Sequence, residues 1–543
     1  MTESVERAWS RAREYLATEQ YAAARVTLES LLADDPQNTE AHLLLGGIAW
    51  KENRRLDALR HAHDAARVVP DDGTTLLSVI AALIQIGECT MARDLLDRPF
   101  FAGTHDGEVL AQAASLHQMI EDHEGSLALY ERARAAGCDD QEFHFNLSNQ
   151  LSFNGRLREA EEELERCLGS GKPLGKAYVN LSRLRRQTPE HNHLEAIEQV
   201  SGQVQPGSED QAALEFARYK ELEDLGRHDE AWNALAKGNA LMAARTAYDA
   251  PRKERLLEDL RKLCTANFVG AGRQFAQDGP APIFIVGMTR SGTTVLDRIL
   301  GNHSQVRSAG EIKDFGAQLA HVTRQCTQRV IDRRMLDRLA DVSYAEVGAR
   351  YLAQTQWRAR GRRFYVDKFP PNWQVAGLIH RALPQARIVH LVRSPMDVCF
   401  SNFRAFFGQS YVWSYDVDRL AHYYLQYRRT MAHWHEVMPG QVLNVGYSDL
   451  VRDPEATARQ VFDFCGLDYE EGCVDLTRNE AAVASWSMAQ VRQSIHASAF
   501  DEWRPYATQL VGLRTAVRLV RHAVDGPAAA PIGDMGRSAR RLH

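Results

Sequence analysis

The run Gly287-Met288-Thr289-Arg290-Ser291-Gly292-Thr293-Thr294 combines bounding glycines, hydroxyl side chains and an arginine. It follows the apolar stretch Pro282–Val286 and precedes apolar residues at helical spacing. Gly287 and Gly292 let the backbone curl so that successive N–H groups point inward, and a helix starting near Thr293 adds its positive dipole end. Ser291, Thr293 and Thr294 add hydroxyl donors, and Arg290 adds a permanent charge with planar donors. Together they hold a phosphate-like anion. The spacing fits G-x-x-x-x-G-K-[ST] except that Thr293 stands at the lysine position. A nucleoside triphosphatase needs that lysine for its terminal phosphates; here the charge must come from elsewhere.

The elements that position this loop are strands and helices in alternation. Ile283–Val286, Phe364–Val366, Ile388–Val392 and Val442–Val445 are apolar runs, each followed by a loop and a helical pattern. This predicts a parallel α/β sheet of the P-loop kind, flanked by helices. Ligands bind such sheets beyond the carboxyl ends of the strands, so the residues that follow each strand form one site. Lys368, in Asp367-Lys368-Phe369-Pro370-Pro371, becomes a second cation over the anion. Ser394 as N-cap, Pro395 at the first helical position and Asp397 three residues after the cap predict a helix start, which leaves Arg393 at the sheet edge and Ser401 two turns into the helix. Tyr447, in Gly446-Tyr447-Ser448-Asp449-Leu450, falls at the same edge.

Ahead of this region lies a different pattern. Residues 1–245 are rich in Ala, Leu, Glu and Arg, and Ala24, Ala58 and Ala92 recur every 34 residues, as do Pro36 and Pro70. The register continues through Ala128, Ala160, Ala196 and Ala231 with small drifts. Gly87, Gly155 and Gly226, with Asn53, stand five positions before such alanines. Gly and Asn tolerate the left-handed conformation at a helix C-terminus, and a small alanine lets the second helix of a pair pack close. A helix-turn-helix unit of ~34 residues is the signature of tetratricopeptide repeats, and about seven imperfect units resemble that family. The expected organisation is a helical repeat solenoid over 1–245, a helical connector over 246–280, an α/β domain over 281–512, and a helical end with a flexible tail over 513–543.

At 543 residues the chain exceeds one ordinary core. A hydrophobic fraction of 44% with 25% charged residues fits a soluble globular protein. The net charge of −6 argues against nucleic acid as the main partner. The eight cysteines form no C-x-x-C pair, so reduced thiols and a cytoplasmic location are expected. The N-terminus lacks the layout of a signal peptide. No window offers the ~20 apolar residues of a membrane span.

"PIFIVGMTRSGTT", "RIVHLVRSPMDVCFSNF" and "VGYSDLVRDPEATARQVFDFCGL" resemble the sulfotransferases that use 3′-phosphoadenosine 5′-phosphosulfate (PAPS), and the R-S-G-T-T form resembles the tyrosylprotein sulfotransferase branch. Repeats fused ahead of such a domain are similar to a bacterial arrangement. The resemblance implies that Arg290, Ser291, Gly292, Thr293 and Thr294 hold the 5′-phosphosulfate, that Arg393 and Ser401 bind the 3′-phosphate, and that Tyr447 contacts the donor. It implies Glu311 as catalytic carboxylate, with Arg290, Lys368 and Ser487 stabilising the transition state and no metal. Three positions depart from the family: Thr289 replaces a usual proline, Ala405 stands beside Arg404 where a further donor arginine is expected, and Glu502 replaces a lysine of the tyrosylprotein branch.

On this reading Glu311 is the general base that deprotonates an acceptor hydroxyl, returned to the sheet edge by the extended run Gln305–Ala309. A carboxylate among cations is a weak base unless it is partly buried or takes the proton late. Arg290, Lys368 and Ser487 would neutralise charge on the departing phosphate and the sulfuryl oxygens. The acceptor is a peptide or protein, tyrosine among the candidates, or a small hydroxyl compound. The repeats would bind substrate, a protein partner or a second copy. A P-loop kinase or nucleotide triphosphatase, and a repeat scaffold with an inert C-terminal domain, are the competing readings. The first lacks the loop lysine; the second leaves five chemistry-bearing residues without a use.

Overall fold

The alanine period is a period of turns. In the computed structural model, which describes residues 3–169, 172–272, 279–479, 481–484 and 500–525, antiparallel helix pairs follow one another from Glu3 to Arg245. Glu3–Ala17 pairs with Tyr21–Asp34, Thr39–Lys51 with Arg55–Val68, and Gly73–Ile86 with Cys89–Leu96. The residue that reverses the chain is left-handed at Glu19, Asn53, Gly87, Glu121 and Gly155, 34 residues apart each time, and again at Gly226. Ala24, Ala58, Ala92, Ala160 and Ala231 are buried where the paired helices approach. In the fourth pair the small residue is Ser126, fully buried and bonded through its hydroxyl to the Ala114 carbonyl (2.7 Å), whereas Ala128 is exposed. The period is therefore unbroken from Ala92 through Ser126 to Ala160, and the drift read from Ala128 is a false alignment. In the sixth pair Ile197 is buried and Ala196 only half-buried.

The chain groups into two compact units. One comprises Met1–Asp139, Gly272–Gly279 and Ile312–Gly361; the other comprises Asp140–Ala271, Pro280–Glu311 and Arg362–His543. In the first, the Asp314–Val322 and Tyr344–Thr355 helices pack with the early repeats. Buried Glu88 there accepts from Arg350 and from Gln354 (3.1 Å).

The second unit holds a five-stranded sheet: β1 (Ala281–Gly287), β2 (Val306–Ser308), β3 (Phe364–Asp367), β4 (Arg387–Val392) and β5 (Val442–Gly446). All neighbours run parallel in the order β2-β3-β1-β4-β5. Central β1 is buried from Pro282 to Gly287, as a strand covered on both faces must be. One face packs Ile283, Ile285, Val389 and Leu391 against Leu296, Ile299, Val461 and Phe462 of the flanking helices. On the other, Trp434 donates its indole N–H to the Trp373 carbonyl (2.8 Å) and lies where a Cβ on Gly377 would stand 2.5 Å from its ring. The last repeats belong to this unit. Asn239 donates to the Phe403 carbonyl (3.1 Å), and Trp232 stacks on Phe403 with centroids 6.0 Å apart.

Candidate active site

Read across the sheet from β2 to β5, the strand ends lead to Glu311, Lys368, the 288–292 loop, Arg393 and Tyr447 in turn. The sheet converts five positions scattered along the chain from 288 to 447 into neighbours along one edge.

The loop leaves β1 at Gly287 and enters the Thr293–Gly301 helix with Gly292 as N-cap. Arg290 (φ 68°) and Gly292 (φ 98°) are both left-handed. That conformation costs a residue with a Cβ ~1–2 kcal/mol, and Arg290 is held in it by neighbours. The Ser291 N–H donates to the Met288 carbonyl (3.1 Å), and Arg393 Nη1 donates to the Arg290 carbonyl (2.9 Å). A Cβ on Gly292 would lie 2.4 Å from Cδ2 of Tyr447, so the glycine is demanded by space as well as by φ. Thr293 and Thr294 are buried, and the hydroxyl of Ser291, only 1% exposed, is buried without a hydrogen-bond partner among the described residues. An orphaned donor, a glycine-walled curl and a helix N-terminus fit a bound oxyanion.

Thr289 has its own role. Its carbonyl accepts from Asn402 Nδ2 (2.7 Å), and its side chain hydrogen bonds Tyr411. A proline there would forgo the second contact. Tyr411 feels the charge of Glu311; burial, then that charge, holds its phenol well above the ordinary range. Phe407 packs edge-on against the Tyr411 ring with centroids 4.9 Å apart.

On the β2–β3 side, Lys368 is 3% exposed and its Nζ donates to Glu311 Oε1 at 2.5 Å. The Ala309 N–H donates to the Val366 carbonyl and the Lys368 N–H to the Gly310 carbonyl, which fixes the chain leading to Glu311 against β3. Short β2, at the sheet edge, is the extended run that the sequence places ahead of Glu311. On the loop helix, buried Asp297 accepts from Ser308 Oγ (2.9 Å). Burial raises its carboxyl above the ordinary range, and the Lys368 charge opposes that rise.

The β4–β5 side is a cluster of arginines. Arg290 Nε donates to Ser401 Oγ (3.3 Å), and the Arg393 guanidinium sits 5.0 Å over the Tyr447 ring. Arg404 caps the Pro395–Phe403 helix and ion-pairs with Glu223 of the Glu209–Asp224 helix at 3.4 Å and with Glu502 at 2.5 Å. Burial, with Arg404 and Arg393 nearby, brings Arg290 down to about 9. Burial also lowers Arg393. For Arg404 burial pulls the same way, but Glu502 and Glu223 outweigh it and hold the guanidinium well above its ordinary value. Arg183, from the Gly175–Leu184 repeat helix, is lowered by burial and by the charge of Arg290. Several guanidiniums in a low-dielectric recess repel one another unless an anion is shared among them, so the cluster suits a highly charged ligand.

Every sequence-predicted residue among those described thus lies at this edge; Ser487 lies outside the described residues. Ala405 is buried, and Arg404, one position earlier at the end of the helix, is the arginine that joins the cluster. Sequence reading missed Asp297, Tyr411, Glu223 and Arg183. Only Asp297, one turn into the loop helix, had a usable signal. Among the described residues no cluster of three or more His, Cys, Asp or Glu is arranged for a metal, and no helix is long and apolar enough to cross a membrane.

The Sulfotransferase family model matches residues 282–471. A protein of Aquifex aeolicus described as uncharacterized is 29% identical over 315 residues, which cover 55% of this chain and 40% of that protein. A Caenorhabditis briggsae protein described as a candidate protein-tyrosine sulfotransferase is 24% identical over 235 residues, 41% of this chain and 80% of that one. Among solved structures, the sulfotransferase domain of the Synechococcus PCC 7002 olefin synthase is 21% identical and covers 48% of this chain and 99% of that domain, with a TM-score of 0.33. The segment that matches the Sulfotransferase family model, residues 282–471, contains the anion loop, the Lys368–Glu311 pair, Arg393, Ser401 and Tyr447.

Proposed function

We propose that this chain transfers a sulfuryl group from PAPS to an acceptor hydroxyl, with the chemistry in residues 281–512 and the helical repeats of 1–245 serving acceptor or partner binding. The observation that carries this reading is the two-ended anion site: a loop with an orphaned Ser291 hydroxyl at one end, and Arg393 with Ser401 at the other, joined by the Arg290–Ser401 and Arg393–Arg290 hydrogen bonds. A plain nucleoside triphosphate would use only the first end.

The donor, when bound, supplies an activated sulfuryl group on a phosphate leaving group. The loop amides with Ser291, Thr293 and Thr294 bind its 5′ end, and Arg393 and Ser401 bind its 3′-phosphate, beside Tyr447. Glu311 takes the proton of the acceptor hydroxyl at a carboxylate oxygen. Before it does so, Lys368 must release that oxygen from the 2.5 Å pair, and the freed ammonium then supports negative charge on the transferring oxygens. Arg290, buried among cations, adds a charge that no longer needs to be desolvated when the anion arrives. Ser487 is assigned a similar supporting role.

The acceptor side is lined by Tyr411, which hydrogen bonds the loop at Thr289 and lies within reach of the Glu311 charge. An aromatic wall beside the base suits a phenolic hydroxyl. A tyrosine in a peptide or protein accords with the description of the Caenorhabditis relative and with the repeats ahead of the domain.

Calorimetry separates this reading from a nucleotide kinase: 3′-phosphoadenosine 5′-phosphate should bind without Mg²⁺ and ADP–Mg²⁺ should not, and the reverse preference sinks the proposal. Incubation with labelled PAPS and tyrosine peptides should label the peptide. Glu311→Gln should lower that turnover at least ~10²-fold while leaving product-nucleotide affinity unchanged; retained turnover removes Glu311 as base.

A further inference from the structure

Glu502 is a carboxylate that faces Arg393 and Arg404 together and that the donor site does not use. The chain around it is anchored on both sides. The Asp501 N–H donates to Asp397 Oδ1 (2.9 Å), Phe500 packs on Tyr447 (5.7 Å), and fully buried Tyr506 packs on Phe400 (5.4 Å). From this mount Glu502 Oε2 reaches Arg404 Nη2 at 2.5 Å and Arg393 Nη2 at 3.9 Å, and its charge also acts on Arg290. Its side chain keeps 28% exposure, against 7% for Arg393 and 14% for Arg404. The carboxylate is therefore the most exposed partner in these ion pairs.

We propose that Glu502 is a donor-specificity residue: its carboxylate competes with the 3′-phosphate of the nucleotide for Arg393 and Arg404, and so lowers the affinity of 3′-phosphorylated ligands selectively. The inference rests on the donor reading given above. A phosphate and a carboxylate at contact repel strongly in a low-dielectric recess, so the arriving dianion must displace Glu502 toward the solvent side that its exposure leaves open. A nucleotide without a 3′-phosphate leaves the Glu502–Arg404 pair intact. Glu223, on a repeat helix, pairs with Arg404 through Nη1 rather than the Nη2 that Glu502 takes, and keeps the guanidinium in place when Glu502 departs.

The test is isothermal titration of the full-length wild-type chain, Glu502→Gln and Glu502→Lys with 3′-phosphoadenosine 5′-phosphate and with AMP, without Mg²⁺. Glu502→Gln should tighten the bisphosphate by about tenfold or more and Glu502→Lys further, as expected when like charges no longer face each other, with AMP unchanged. Unchanged or weaker bisphosphate binding in Glu502→Gln overturns the inference, as does equal tightening of AMP. Should a variant unfold at the assay temperature, Glu502→Asp withdraws the carboxylate without removing its charge and should give a smaller gain in the same direction; no gain overturns the inference. If the wild-type chain does not prefer the bisphosphate to AMP, the donor reading itself has failed; if it does and Glu502→Gln brings no gain, only the role of Glu502 has.

Discussion

Replacing Gly292 by alanine perturbs the loop after β1 where Tyr447, which follows β5, packs on it, and its cost divides into separable parts. At φ 98° an alanine carries the left-handed penalty of ~1–2 kcal/mol. The new Cβ would lie 2.4 Å from Cδ2 and 2.5 Å from Cε2 of Tyr447. Real carbon pairs do not approach so closely, so the ring must move, and overpacking of this kind costs ~1–3 kcal/mol. Moving the ring also takes it from beneath the Arg393 guanidinium, a desolvated cation–π contact of up to ~2 kcal/mol. The single variant should therefore lose about 3–5 kcal/mol in urea denaturation and bind 3′-phosphoadenosine 5′-phosphate more weakly, because Arg393 and the loop shift together. In a Tyr447→Ala background the steric part vanishes and Gly292→Ala should cost only the left-handed term, ~1–2 kcal/mol. A coupling of ~2 kcal/mol between the two sites is the expected outcome of the cycle. Additivity within ~0.5 kcal/mol would refute the claim that Tyr447 is what excludes a side chain at position 292.

Two further outcomes test the frame around the site. Burial, chiefly, depresses His61 to about 4, His321 to about 4 and His390 to about 3, from an ordinary 6.5. A depressed folded-state value means stability that is fully present above about pH 6.5 and lost as the pH falls through about 4 and then 3. The urea midpoint should decline across that window and owe nothing to these groups between pH 7 and 8; a midpoint level down to pH 4 contradicts the burial argument. Glu19 is exposed and left-handed (φ 57°) at a repeat turn. Glu19→Gly should relieve ~1–2 kcal/mol of conformational cost against ~0.5–1 kcal/mol of added unfolded-state entropy, for a small net rise in the thermal midpoint. A fall in midpoint would show that the turn is not strained.

The helical period was legible because it is written in the local needs of a turn. Gly87, Gly155, Gly226 and Asn53 mark left-handed positions, and the buried alanines mark close helix approach. Glu19 and Glu121 occupy the same turn and could not be found, since nothing in a glutamate announces a positive φ. Ala128 drew the eye away from Ser126 because burial, not residue type, identifies the packed position. In the sheet, four strands showed as apolar runs, while β2 did not. Val306–Ser308 is an edge strand of three residues, legible only as the extended stretch ahead of Glu311; it pairs in register with β3, and the Ala309 and Lys368 amides continue that tie beyond it.

The sequence alone determined the anion loop, the parallel α/β alternation and the rule that residues after each strand share an edge. These follow from backbone conformation and short-range hydrophobic pattern, which act over a few residues. Tertiary structure alone decided how the charges there are partnered. Lys368 meets Glu311 across β2 and β3, Arg404 rather than position 405 reaches the cluster, Glu223 arrives from a repeat helix, and Glu502 closes over Arg393. Thr289 found Tyr411 in the same way. Ion pairs and side-chain hydrogen bonds between residues 57 to 181 positions apart depend on where the folded chain brings their ends, within a few ångströms. No local pattern carries that information, since the same residue types at the same spacing would serve equally well paired otherwise.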